Sequence, residues 1–224
     1  MKKAVVLLSG GIDSATTLYW AKKQGYSCFC LIFDYGQRHK REIESAKKIA
    51  QIANCKWRIL KVSLPWKGSS LLDRDIKIPK HLNTLKPKNQ KIPSTYVPAR
   101  NIIFLSFALS FAESINAQAI FIGAHMQDYS GYPDCRKEFF RAFEEVIKRG
   151  TASGVNKKEI KIYTPLINKN KAEIIKLAYN LGVPLELSWS CYRGGKYPCG
   201  KCDSCYFRAK GFQEAGMKDP LISR

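Results

Sequence analysis

Ser9-Gly10-Gly11-Ile12-Asp13-Ser14 is the stretch whose residue types and spacing could do chemistry. Adjacent glycines let a backbone turn sharply and let a ligand come close. A helix starting at such a turn aims its free N–H groups, and the positive end of its dipole, at whatever sits there. That is an anion site, and a phosphate suits it. Asp13 or Ser14 is expected to cap the helix. The loop is not a GxxxxGK[ST] P-loop, because it is short and carries no lysine, and it is not a GxGxxG dinucleotide turn.

A second constellation could hold a metal. Cys191, Cys199, Cys202 and Cys205 are separated by seven, two and two residues. Four thiolates suit tetrahedral Zn²⁺ at about 2.3 Å each and leave no open position, so the expected role is structural. An iron–sulfur cluster is the alternative, since CxxCxxC also occurs in ferredoxins. Gly194, Gly195, Pro198 and Gly200, with Lys196, Lys201 and Asp203, favour the zinc knuckle. The other four cysteines are scattered. Cys28 and Cys30 share one face of a strand and read as core residues; Cys135 reads as packing, and Cys55 has no reading beyond structure.

Other polar residues gather where strands should end. Asp34 to His39 follows an apolar run and could touch a base or ribose. Arg100 just precedes an apolar helix and could clamp phosphates. The segment from Ala124 to Arg136 holds Asp128, Tyr129, Ser130, Tyr132, Asp134 and Arg136. Its tyrosines could stack on a planar ring. Its aspartates could accept from ring N–H and exocyclic amines of a guanine-like edge, and Arg136 could pair with a carboxylate. Lys171 opens a helix, against the dipole preference for acids there, and a nearby phosphate would account for it.

The elements that must position these residues follow from pattern. Ala4 to Leu8 reads as a buried parallel strand and the residues after Ser14 as a helix. Strands are expected at 27–33, 57–64, 119–123 and 160–163. Helices are expected over 39–53, 102–115 and 139–148, and from Lys171. Residues 65–101 read as a long irregular stretch, of a length that usually serves function. Strands alternating with helices predict an α/β fold, an open parallel sheet with helices on both faces. The expected organisation is one domain over 1–224, with a zinc-binding module at about 186–210 packed on it.

Composition bounds the rest. The chain has 224 residues, 45% hydrophobic, and no apolar run near the roughly 18–20 residues of a membrane helix. The five-residue apolar run behind Met1-Lys2-Lys3 is too short for a secretory signal, so a cytoplasmic protein is expected. There are 38 Lys and Arg against 18 Asp and Glu, a net charge of +20. That suits polyanions, ATP or RNA, but a solvated lysine-rich surface is the default reading and charge alone does not establish nucleic-acid binding.

SGGxDS after a first strand resembles the pyrophosphate loop of the PP-loop ATP pyrophosphatase superfamily. The whole chain resembles, more narrowly, the 7-cyano-7-deazaguanine synthase family. The carriers are SGGIDS at 9–14, FDYGQRH at 33–39, YVPARN at 96–101 and DYSGYPDCR at 128–136. To these add Thr164-Pro165-Leu166 with Lys171-Ala172-Glu173-Ile174, and SCY…CGKCDSC at 190–205. The resemblance implies a Rossmann-like, adenine-nucleotide alpha-hydrolase-like fold. It implies a ligase of queuosine biosynthesis that makes a nitrile from 7-carboxy-7-deazaguanine, ammonia and ATP, through an adenylated acid and an adenylated amide. It places ATP on Leu8, Ser9, Gly10, Gly11, Ile12, Asp13, Ser14, Ala15, Phe33, Arg100 and Lys171, and the deazapurine on the 128–136 residues named above. It also implies Mg²⁺ with the ATP and a homodimer, with one structural zinc per chain and no requirement for tRNA. A tRNA-binding base modifier is the rival reading that the charge supports; a zinc-knuckle nucleic-acid binder leaves SGGIDS unexplained.

Overall fold

The computed structural model describes residues 1–38, 40–80, 92–125 and 131–222. Five strands, β1 (Lys3–Leu7), β2 (Ser27–Asp34), β3 (Lys56–Lys61), β4 (Ala119–Phe121) and β5 (Lys161–Tyr163), form one parallel sheet in the order β3-β2-β1-β4-β5. β1 is central and pairs with β2 on one side and β4 on the other. The winding reverses there, which opens a crevice beyond the carboxyl ends of β1 and β4.

The strand pleat sends alternate residues into two cores. Ala4, Val6, Leu8, Cys28, Cys30, Ile32, Ala119 and Phe121 face one layer. That layer holds helices α1 (Ile12–Lys23) and α2 (Arg41–Ile52), and later α5 (Lys171–Asn180) and α6 (Asp203–Ala215). Val5, Leu7, Leu31, Phe33, Ile120 and Ile122 face the other, which holds α3 (Arg100–Ser114) and α4 (Lys137–Gly150). Each large side chain so buried contributes about 1.5–3 kcal/mol. Cys28 and Cys30 are in the first core, as the strand pattern predicts.

Element boundaries move by a few residues from the expectation. β3 ends at Lys61 rather than Leu64, and β4 at Phe121 rather than Gly123. Arg100 does not precede its helix but is the first residue of α3. Ala99, at φ 53°, turns the chain into that helix, and its N–H donates to the Tyr96 hydroxyl at 3.1 Å. A four-residue helical turn at Ala152–Val155 had no periodic signal. Among the described residues no helix is long and apolar enough to cross a membrane.

Candidate functional site: a glycine loop and a carboxylate–ammonium pair

The loop of 9–14 joins β1 to α1 at the crevice. Gly10 has φ 84°, and a Cβ there would lie 2.3 Å from the Glu42 carbonyl oxygen and 2.7 Å from the Ala46 nitrogen. Only glycine lets the loop rest directly on α2. Gly123 does the same from just beyond β4, since a Cβ there would come within 3.0 Å of Asp13 and Ser14 backbone atoms. The loop also closes on itself: Ser9 N–H donates to Ser14 Oγ at 3.2 Å, and Ser14 Oγ–H donates to the Gly11 carbonyl at 3.1 Å. The expected cap by Asp13 or Ser14 is not what forms. Gly11 is the N-cap and no side chain caps α1. Both side chains lie inside the first turn, beyond reach of the capping geometry, and the α1 amides at the loop keep no side-chain cap.

Asp13 is freed for a different partner. Its two carboxylate oxygens accept from Lys171 Nζ at 2.7 and 2.8 Å. His125 completes a triangle, with Nε2 3.1 Å from Lys171 Nζ and 3.4 Å from Asp13 Oδ2. Burial pushes the Asp13 carboxyl up, but opposing charge, the Lys171 ammonium first, holds the group well below the usual carboxylate range. Lys171 reaches this point because α5 is capped without it: Asn170 and Glu173 form a reciprocal capping box. Gly211 of α6 clears its path, since a Cβ there would lie 2.4 Å from Lys171 Cγ.

A cavity of about 260 Å³ opens above the loop. Leu8, Ser9, Gly11, Asp13 and Ser14 form its floor. Phe33, Tyr35, Arg100, Asn101, Phe104 and Cys135 form one wall, and Trp189, Ser190, Tyr192 and Ser204 another. Phe33 stacks on Phe104 with centroids 3.8 Å apart. Burial pushes the Tyr35 phenol up to about 12 against the pull of the neighbouring Arg100, so a neutral phenol meets the guanidinium.

The remaining sequence-predicted residues divide. Ile12 and Ala15 are core residues of α1, 2% and 0% exposed. Asp134 is buried; its Oδ2 accepts from the Asn101 N–H at 3.0 Å, so it caps α3 from a distant loop. The Tyr132 hydroxyl bonds Thr95 Oγ1 at 2.6 Å. Arg136 is exposed at the N-cap of α4 and is not among the cavity residues. Asp128, Tyr129 and Ser130 lie outside the described residues. Sequence alone treats His125 as a lone histidine and places Tyr35 only within the Asp34–His39 run that could touch a base or ribose; it assigns no role to Asn101 or to the wall residues Trp189, Ser190, Tyr192 and Ser204. Only the position of Tyr35 and His125 beyond strand ends signalled them.

The four clustered cysteines could hold a metal ion. Their sulfurs all lie within 4.8 Å of one another, and Cys199 Sγ is 3.9 Å from Cys205 Sγ. A tetrahedron with 2.3 Å bonds has edges of about 3.8 Å. Backbone N–H groups of Cys199 and Arg193 donate to Cys191 Sγ at 3.3 and 3.5 Å, which suits a thiolate. This module supports the loop directly. Trp189 N–H donates to the Gly10 carbonyl at 2.9 Å. Its indole N–H donates to the Cys191 carbonyl at 3.0 Å, and Arg41 stacks on its ring at 4.3 Å.

Comparison with known proteins places the chain in a family. A family model described as queuosine biosynthesis protein QueC matches residues 3–216. A 7-cyano-7-deazaguanine synthase from Trichodesmium erythraeum is 52% identical over 222 residues, covering 98% of this chain and 100% of that one. One from Acetivibrio thermocellus is 53% identical, covering 99% and 97%. Among solved structures, NMN synthetase from Francisella tularensis superposes with a TM-score of 0.52 at 15% identity, covering 97% of this chain and 78% of that one, a likeness of fold. The chain belongs to the 7-cyano-7-deazaguanine synthase family of queuosine biosynthesis.

Proposed function

We propose that the chain converts 7-carboxy-7-deazaguanine, with ammonia and ATP, to 7-cyano-7-deazaguanine. The observation that carries this is identity of about half over the full length of proteins bearing that name. The site supports it, because both activations need a phosphate-binding loop at a cavity and cationic side chains beside it.

A carboxylate oxygen is a poor leaving group. Attack of that oxygen on the α-phosphorus of ATP breaks the bond to pyrophosphate and makes it part of AMP. Ammonia then adds to the carbonyl carbon, loses a proton, and expels AMP to give the amide. A second ATP activates the amide oxygen in the same way. Loss of AMP and the remaining N–H protons leaves the nitrile. The 9–14 amides would cradle the phosphates. Arg100 and Lys171 would offset charge on the leaving pyrophosphate. Asp128, Tyr129, Ser130, Tyr132 and Arg136 would face the deazapurine, and Asp134 would anchor that loop on α3.

The four thiols fit zinc better than an iron–sulfur cluster, because one ion at the centre of their tetrahedron satisfies all four. Bound there, it would supply cross-linking and no reacting position. Mg²⁺ accompanying ATP, a homodimer and a cytoplasmic setting complete the reading.

Substrate labelled with ¹⁸O in its carboxylate tests the chemistry. One ¹⁸O in each AMP released is expected. Label in inorganic phosphate would replace adenylation by acyl-phosphate chemistry, and no acid-dependent nucleotide turnover would overturn the assignment.

A further inference from the structure

We propose that His125 is a positioning residue for nucleotide binding: it tethers the Lys171 ammonium so that this group can leave Asp13 for a phosphate. The inference rests on the ATP-dependent reading above.

An ammonium has three hydrogens and no lone pair. Lys171 spends two of them on Asp13 Oδ1 and Oδ2, at 2.7 and 2.8 Å, and directs the third to His125 Nε2 at 3.1 Å. Nε2 therefore accepts, and the ring proton belongs on Nδ1. The ring is 3% exposed, so it acts through its two neighbours rather than on a ligand. The Lys171 side chain is 12% exposed and the Asp13 side chain 26%. An ammonium so buried needs acceptors wherever it goes.

The pair has opposite tasks. A carboxylate beside a phosphate loop repels phosphate, and Lys171 neutralises it while the loop is empty of ligand. An arriving phosphate competes for the same ammonium. If Asp13 were its sole partner, the ammonium would be held at the loop by that carboxylate alone, and swinging away from it towards a phosphate would leave Nζ with no protein anchor. His125 offers an anchor independent of Asp13, set on the segment beyond β4, and keeps Nζ at the loop while one Asp13 bond is exchanged. His125→Leu fills the space and removes the acceptor; His125→Gln puts a neutral acceptor near Nε2.

Equilibrium ATP binding by calorimetry on metal-loaded protein, with thermal melts and ATP and acid KM values, is the test. His125→Leu is expected to weaken ATP about tenfold, the scale of one hydrogen bond to a charged group. The acid KM should stay within about twofold and the Tm within a few degrees. His125→Gln should restore ATP affinity to within about threefold of native. In a Lys171→Met background His125→Leu should add no further loss. Native ATP affinity in His125→Leu overturns the proposal, as does a His125→Gln as weak as His125→Leu, or a full loss added on Lys171→Met. A native chain that binds no ATP overturns the ATP-dependent reading and this inference together.

Discussion

Asp13 sits where the 9–14 loop enters α1, and its charge is held by Lys171 at 2.7 Å. Removing the carboxylate leaves that ammonium with His125 as its one partner among the described residues and deprives the loop of its one acidic group. Asp13→Ala is therefore expected to lower nucleotide turnover at least a hundredfold while the chain still melts cooperatively; retained turnover would move the chemistry off this loop. The ion pair also makes a pH prediction. The folded carboxyl titrates below its ordinary value of 3.8, so the pair stabilises the fold above that value and is lost as pH falls through the lower folded one. Native protein should thus lose stability faster than Asp13→Asn as pH drops below about 4, and parallel acid-melting curves would contradict the pairing. Arg136 is exposed at the start of α4. Under the proposed substrate placement, Arg136→Ala should raise the KM of the acid severalfold more than that of ATP, and equal changes would remove it from the substrate face.

At the scale of elements, the cysteine module and the 9–14 loop are joined by hydrogen bonds. The Trp189 backbone N–H donates to the Gly10 carbonyl while its indole N–H donates to the Cys191 carbonyl, so the cysteine cluster is tied to the loop through one residue. Buried Arg208 locks α6 to the same segment, donating to Ser188 Oγ at 2.9 Å and to Asp219 at 2.7 and 2.8 Å. Cys202→Ser is expected to lose the bound metal, lower the Tm, and weaken ATP binding below the melting range. A full metal equivalent in that variant, or native ATP affinity after metal loss, would separate the two elements. Strand and helix identities were legible because their signals are local: the apolar runs of β1 and β2, the two glycines at the turn, Lys171 opening α5. The Trp189–Gly10, Asp134–Asn101 and His125–Lys171 contacts were not. Each joins segments far apart in the chain, and no local periodicity encodes which strand end will face which loop. The capping expectation at Asp13 and Ser14 failed for a local reason: the helix starts two residues earlier than a cap at Asp13 requires, so Gly11 takes the N-cap and both side chains fall inside the first turn.

For the whole molecule, the net charge of +20 poses the choice between a small-molecule enzyme and a binder of RNA. The acid, ATP and ammonia need a cavity and a phosphate loop, both present at the crevice between β1 and β4. An RNA-dependent modifier would show binding that falls steeply with salt as counterions are released. Membership of the 7-cyano-7-deazaguanine synthase family supports the proposed free deazapurine substrate. The direct test is mass spectrometry of purified, metal-loaded protein given 7-carboxy-7-deazaguanine, ATP, Mg²⁺ and ammonium, with and without tRNA. The nitrile product, formed without tRNA and lost when ATP is left out, is the expected result. No nitrile from folded, metal-loaded protein, or product only when tRNA is supplied, would contradict the account.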